Sequence, residues 1–292
     1  MLRLATRGSR LARWQADWVA KALGGDVELV IVETTGDRRP DVSLAAIGGQ
    51  GVFVKEVQAA VLDGSADAAV HSAKDLPAVT EPGLCLAALG ERDDPRDALV
   101  GARLDAIPIG GVIATGSARR RALLRDLRPD LTFADLRGNI ATRLDKAAGF
   151  DAIVVALAAL RRLGLEDRAA EALDPEVFVP QVGQGAIAVE CRAGDDAVIG
   201  RLAATVEHGA TRRAVTAERA FLATLGGGCT LPVGAYATVA PDGNVTLRAV
   251  LATADERTCL RRTGRDHDPE RLGAAIARDL AQDVDALERA PG

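Results

Sequence analysis

Apolar and polar positions alternate along this chain in a way that predicts short strands separated by amphipathic helices. Residues 2–5 read as a strand. The turn Thr6-Arg7-Gly8-Ser9 then opens a helix with Ser9 as N-cap and Gly24 just past its end. Leu11, Trp14, Trp18, Val19, Ala22 and Leu23 fall on one face of that helix, so both tryptophans are expected in the core. A second strand covers 27–32. The polar, glycine-rich stretch 33–50 predicts a long loop, and loops of that length are usually functional or mobile. Helix 52–62 and strand 66–70 follow.

Strand 66–70 runs into His71-Ser72-Ala73-Lys74-Asp75-Leu76-Pro77, which packs four polar side chains into five positions between apolar flanks. A solvated loop with a Lys-Asp pair is the plain alternative. The place favours a site, because open α/β sheets bind ligands at the carboxyl ends of their strands. Strands 84–89 and 97–100 flank a polar crossing, 91–96. Beyond it, strand, turn and helix recur three times. Strand 112–114 leads through Thr115-Gly116-Ser117 to a helix with Arg119, Arg120 and Arg121. Strand 131–133 leads through Leu136-Arg137-Gly138-Asn139 to a helix with Arg143. Strand 152–156 leads to a short helix with Arg161 and Arg162. A parallel sheet would place these arginines along one edge.

Strands 177–179 and 186–190 flank a second crossing, Pro180-Gln181-Val182-Gly183-Gln184-Gly185. Helices 198–206 and 211–225 come next. Strands 233–239, 245–252 and 258–262 predict an antiparallel set, with a turn at Pro241-Asp242-Gly243-Asn244, and helix 272–287 closes the chain. The fold class is therefore α/β: two lobes joined by two crossings, plus a small C-terminal α+β domain. The expected boundaries are 1–92 for the first lobe, 93–183 for the arginine-rich second, 184–208 for the return to the first, and 209–292 for the C-terminal domain. Two crossings let lobes hinge over a ligand.

Length and composition narrow the class. At 292 residues, with 48% hydrophobic and 26% charged, the chain has an ordinary globular composition. No apolar run approaches the ~18 residues that span a bilayer. Arg7, Arg10 and Arg13 interrupt any apolar leader, so a cytoplasmic protein without a membrane partner is expected. A net charge of −5 lends no support to nucleic-acid binding. Cys85, Cys191, Cys229 and Cys259 are not spaced as a zinc site, and no metal is expected. Cys85 and Cys191 read as core thiols and Cys259 as structural.

The cations set the chemistry. Arg7, Arg119, Arg120, Arg137, Arg143, Arg162 and Lys74 are expected to line one cleft. Guanidinium forks match carboxylates and phosphates. So many like charges repel, a cost that a bound polyanion offsets. The glycine pattern is not that of a phosphate loop, which favours a ligand with many carboxylates over phosphate. Asp75 is the one carboxylate expected among these cations, suited to stabilising a developing cation or handling a proton. Cys229 follows Gly226-Gly227-Gly228 at a helix end. The plain reading is a glycine C-cap with an incidental cysteine. The functional one is a thiol on a loop, available as nucleophile or tether. His71 beside Ser72 suggests a nucleophile-base pair, but neighbours on an extended chain point opposite ways, against a serine hydrolase. Asp93, Asp94 and Asp97 read as solvated, against a metal-dependent phosphate-ester enzyme. A non-catalytic carboxylate receptor would explain the arginines but would leave Asp75 and Cys229 without a use.

Taken together, the motifs resemble the porphobilinogen deaminase family. They are Ala5-Thr6-Arg7-Gly8-Ser9, His71-Ser72-Ala73-Lys74-Asp75-Leu76-Pro77, Thr115-Gly116-Ser117-Ala118-Arg119-Arg120, Leu136-Arg137-Gly138-Asn139, Thr142-Arg143-Leu144, Val182-Gly183-Gln184-Gly185-Ala186 and Gly227-Gly228-Cys229. The resemblance runs through nearly the whole chain. It implies lobes like those of periplasmic binding proteins, and the joining of four porphobilinogen molecules to hydroxymethylbilane with loss of ammonia. It further implies a covalent dipyrromethane primer on Cys229, with Asp75 as the catalytic carboxylate. Ser72, Lys74, Thr115, Ser117, Arg119, Arg120 and Arg143 are implied as primer contacts. Arg7, Ser9, Gln15, Arg137 and Arg162 are implied as contacts for the substrate or the growing chain. A working monomer is expected. Ala46 and Gln50 stand where many relatives carry lysine, so the 33–50 loop is expected to grip carboxylates less strongly.

Overall fold

The computed structural model describes residues 1–34, 54–227 and 231–289. Most of the expected 33–50 loop, with Ala46 and Gln50, and the cysteine at 229 lie outside the described residues. The chain divides into two compact units, Met1–Asp93 with Gly185–Arg212, and Asp94–Gln184 with Arg213–Gly292.

In the first unit, β1 (Leu2–Arg7), β2 (Val27–Val32), β3 (Ala68–Ser72), β4 (Leu84–Leu89) and β10 (Ile187–Arg192) form one sheet, ordered β2-β1-β3-β10-β4. β1 runs parallel to β2 and β3, whereas β10 is antiparallel to β3 and β4. Alternation along the strands feeds two cores. Leu4, Val70 and Val189 face helices α1 (Arg10–Leu23) and α6 (Asp196–Thr205), while Ala5 and Ala69 face α2 (Lys55–Leu62).

Helix α1 starts where expected, since the Ser9 hydroxyl accepts from the Ala12 amide at 3.3 Å. It stops at Gly24, whose φ of 60° favours glycine. Its buried face differs from the expected one. Ala12, Gln15, Ala16, Val19 and Leu23 are buried, Trp14 is 36% exposed, and Trp18 packs half-buried on the core. The small Ala12 and Ala16 let the helix lie close to the sheet, which leaves Trp14 on the flank. Trp18 needs Gly90 beneath it, because a Cβ there would fall 2.7 Å from the indole ring.

In the second unit, β5 (Asp97–Gly101), β6 (Val112–Ala114), β7 (Thr132–Ala134), β8 (Ala152–Ala156) and β9 (Glu171–Ala172) form a sheet ordered β7-β6-β8-β5-β9. β6, β7 and β8 are parallel, and β5 is antiparallel to β8 and β9. The expected strand at 177–179 is absent; Phe178 and Val179 pack into the core from an irregular segment instead. The parallel strands feed α3 (Ala118–Leu127), α4 (Ile140–Lys146) and α5 (Leu157–Arg162).

The same unit holds an antiparallel sheet of β11 (Val233–Val239), β12 (Val245–Ala252) and β13 (Cys259–Asp266). Helices α7 (Gly209–Thr224) and α8 (Pro269–Arg289) share its core through Phe221, Ile276 and Leu280. The two helices touch backbone to backbone at Gly273, where a Cβ would lie 2.2 Å from the Ala217 carbonyl oxygen. Among the described residues, no helix is long and apolar enough to cross a membrane.

Candidate functional site

Because β1 and β3 are parallel, their carboxyl ends open on the same edge of the first sheet. Arg7 is the last residue of β1 and Ser9 caps the helix that follows. Ser72 is the last residue of β3, and a 3-10 turn, Ala73–Asp75, follows it directly. Arg7, Ser9, Gln15, His71, Ser72 and Asp75 line one pocket at that edge. Gln15, buried on α1, donates from Nε2 to the Ser72 hydroxyl at 2.7 Å and so aims it. Lys74 is half-buried in the same turn. The sequence motifs 5–9 and 71–77, sixty-odd residues apart, therefore meet because two strands are neighbours and parallel.

His71 and Ser72 diverge, as extended neighbours should. The His71 ring is buried, with Nε2 at 3.4 Å from the carboxylate of Glu190, which is long for a hydrogen bond. Glu190 is itself buried and accepts from Gln58 Nε2 at 2.8 Å. The Ser72 hydroxyl is held by Gln15 and the imidazole Nε2 turns to Glu190, so the geometry offers no nucleophile-base pair.

In the second unit, the turns after β6, β7 and β8 share an edge for the same reason. Thr115 is buried, and its Oγ1 accepts from the Ser117 amide at 3.2 Å. Ser117 caps α3 by accepting from the Arg120 amide at 3.4 Å. Asn139 caps α4, and Arg143 Nε curls back to donate to the Gly138 carbonyl at 2.8 Å. Arg137 lies 3.9 Å from Asp135, and Arg162 is buried at the end of α5.

The expectation that Asp93, Asp94 and Asp97 are solvated is overturned for Asp97. Asp97 is fully buried, because β5 runs antiparallel to β8 and so begins at the edge where β8 ends, opposite Ala156. Its carboxylate receives Arg119 Nη2 at 2.7 Å, Arg120 Nη2 at 2.6 Å and Gln184 Nε2 at 3.1 Å. Arg119 also donates to the Val179 carbonyl, and Arg120 to that of Val154. Burial pushes the Arg119 guanidinium below its usual value, and the Asp97 charge opposes that push. Part of the neutralisation expected from a bound polyanion thus comes from the chain itself. One carboxylate still faces two guanidiniums, so the cluster keeps an excess positive charge. Asp94 is also mostly buried; burial pushes its carboxyl up, but hydrogen bonds from Arg96 more than offset this and hold it below the usual range.

Two further structural carboxylates, Glu190 and Glu218, escaped the reading of the sequence. Glu218 is buried and accepts from the Gly183 and Ala237 amides at 2.7 and 2.8 Å, pinning the Val182-Gly183-Gln184-Gly185 crossing to β11. The signal available was a single acid inside an apolar run, as in Ile187 to Cys191.

Residues 2–200 match the family model described as porphobilinogen deaminase, dipyromethane cofactor binding domain, and residues 212–282 match porphobilinogen deaminase, C-terminal domain. Porphobilinogen deaminase of Acidothermus cellulolyticus is 49% identical over 305 aligned residues, which cover 100% of this chain and 92% of that protein. Among solved structures, a TRAP periplasmic solute binding protein from Ralstonia eutropha with bound (S)-2-acetolactate aligns with a TM-score of 0.40 and 12% identity, over 70% of this chain and 76% of that one. A periplasmic His/Glu/Gln/Arg/opine family-binding protein from Silicibacter pomeroyi, in complex with lysine, gives 0.37 and 13%, over 70% and 88%.

Proposed function

The chain belongs to the porphobilinogen deaminase family, and from that premise we propose that Asp75 is its catalytic carboxylate and Cys229 the sulfur that carries its primer. The activity is the stepwise head-to-tail condensation of four porphobilinogen molecules with release of ammonia, followed by hydrolytic release of hydroxymethylbilane for tetrapyrrole synthesis. It is a transferase activity that works on a dipyrromethane cofactor.

The donor chemistry of the chain suits that cofactor. Its acetate and propionate groups call for cations and hydroxyls, and Ser72, Lys74, Thr115, Ser117, Arg119, Arg120 and Arg143 are the residues that would hold it. The excess of guanidinium over carboxylate at Asp97 supports this fit. When bound, the dipyrromethane supplies the acceptor pyrrole for the first addition.

The remaining work falls to the chain. Arg7, Ser9, Gln15, Arg137 and Arg162 take the carboxylates of the substrate or the lengthening product, each charge-assisted contact contributing ~1.5–3 kcal/mol. Asp75 holds the pyrrole N–H of the incoming porphobilinogen and stabilises the positive charge that develops as ammonia departs. Gln15 keeps the Ser72 hydroxyl turned toward the same pocket. A tether at Cys229 keeps the acceptor end in place and removes an entropic cost at every addition. The protein works as a cytoplasmic monomer, and its net charge of −5 lends no support to a nucleic-acid partner.

What carries this reading is the convergence of Arg7, Ser9, Ser72 and Asp75, from two separate motifs, on one pocket with Gln15 of α1. Intact-mass measurement tests it. The purified wild type should exceed its sequence mass by two pyrrole units, and Cys229→Ser should lack that excess. A full adduct surviving in Cys229→Ser would refute the tether.

A further inference from the structure

Two thiols lie away from the site described above. Cys85 on β4 and Cys191 on β10 face each other directly across the antiparallel ladder, with their sulfurs 3.7 Å apart. We propose that Cys85 and Cys191 are a modification site: a dithiol that closes reversibly to a disulfide by exchange with small-molecule disulfides.

The backbone already meets the requirement. Directly paired residues in an antiparallel ladder have Cα atoms ~4.5 or ~5.5 Å apart, both within the span a disulfide bridges. Bringing the sulfurs from 3.7 Å to bonding distance then needs side-chain rotation rather than strand movement. Access is asymmetric. Cys191 is fully buried in the core, whereas Cys85 is half-buried and reaches solvent. Exchange therefore starts at Cys85.

Two steps balance the reaction. The Cys85 thiolate attacks a disulfide RSSR, forming a mixed disulfide and releasing one RS⁻, which takes up the proton that Cys85 lost. The Cys191 sulfur then attacks the Cys85 sulfur, forming the protein disulfide and releasing the second RS⁻, which takes up the proton of Cys191. One RSSR is reduced to two RSH and two thiols are oxidised. Burial, with the neighbouring Cys85 thiol, pushes the Cys191 thiol up to about 12. Closure should therefore quicken as pH rises above neutrality.

The pair is remote from the pocket. In the β10–β3 register Ile187 sits opposite Ser72 and Cys191 opposite Ala68, so the thiols lie ~13 Å along the sheet from the site edge. The link would join positions 106 apart in sequence, tying the segment before the second unit's sheet to the one that returns from it. A loop that long constrains the unfolded chain strongly.

The test uses the full primer-bearing chain with excess glutathione disulfide at pH 7 and pH 9. The expected result is a mass loss of about 2 Da with no retained glutathione, faster at pH 9, reversed by dithiothreitol. Peptide mapping should locate the link at Cys85–Cys191, and the oxidised form should unfold ~5 °C or more higher. Cys85→Ser and Cys191→Ala should each abolish the loss. A glutathione adduct that persists on Cys85, a link through Cys259, or no mass change at pH 9 would each overturn the proposal, and all are read on the wild type.

Discussion

Asp75 stands in the turn that follows β3, in a pocket that also holds Arg7. If it stabilises charge only in the transition state, Asp75→Ala should lower turnover by ~10²–10⁴-fold while the primer mass is retained. Steady-state assay beside intact mass checks this, and normal turnover would remove Asp75 from the mechanism. The strand-end positions of Arg7, Ser9 and Asp75 were legible in the sequence, because Arg7 ends β1, Ser9 caps the helix after it and Asp75 sits in the turn after β3, where turn chemistry is written locally. Asp97 and Glu190 were not. A single acid within an apolar strand signals a buried charge but not its partners, and Arg119, Arg120 and Gln58 are distant in sequence.

Single elements carry two further predictions. Asp97 starts β5 and binds two arginines of α3, all three buried. Asp97→Ala strands both guanidiniums and should cost ~3–5 kcal/mol, measured by urea unfolding. A loss below ~1 kcal/mol would mean that the arginines find other partners. At the crossing of α7 and α8, Gly273→Ala must push the helices apart, since its Cβ would fall 2.2 Å from a carbonyl oxygen. A cost of ~1–3 kcal/mol is expected in the same assay. Most strands and helices were readable from periodicity, because alternation and capping are local properties. The face that α1 buries was readable only in part, at Trp18, Val19 and Leu23. Hydrophobicity favoured Trp14 as well, but close packing favoured Ala12 and Ala16.

For the whole molecule, several carboxyls sit below their usual range. Hydrogen bonding from Arg3 lowers Asp67, and hydrogen bonding from Arg128 lowers Asp130 to about 2. In Glu207 burial pushes upward, but hydrogen bonds from Arg212 and Leu89 prevail. These groups bind protons more weakly folded than unfolded. Their stabilisation is complete above the unfolded value, near pH 4, and is lost as pH falls toward about 2. Circular dichroism across that range should show acid unfolding, and a transition centred above pH 5 would contradict it. The sequence by itself determined the α/β class, the strand-end positions of the candidate residues and the family, because periodicity, turn chemistry and motif order are written along the chain. Only the tertiary structure decided which cations are matched by the chain's own acids and which motifs share a pocket. Both depend on strand order and direction, as when β5, reversed against β8, carries Asp97 to the arginine edge.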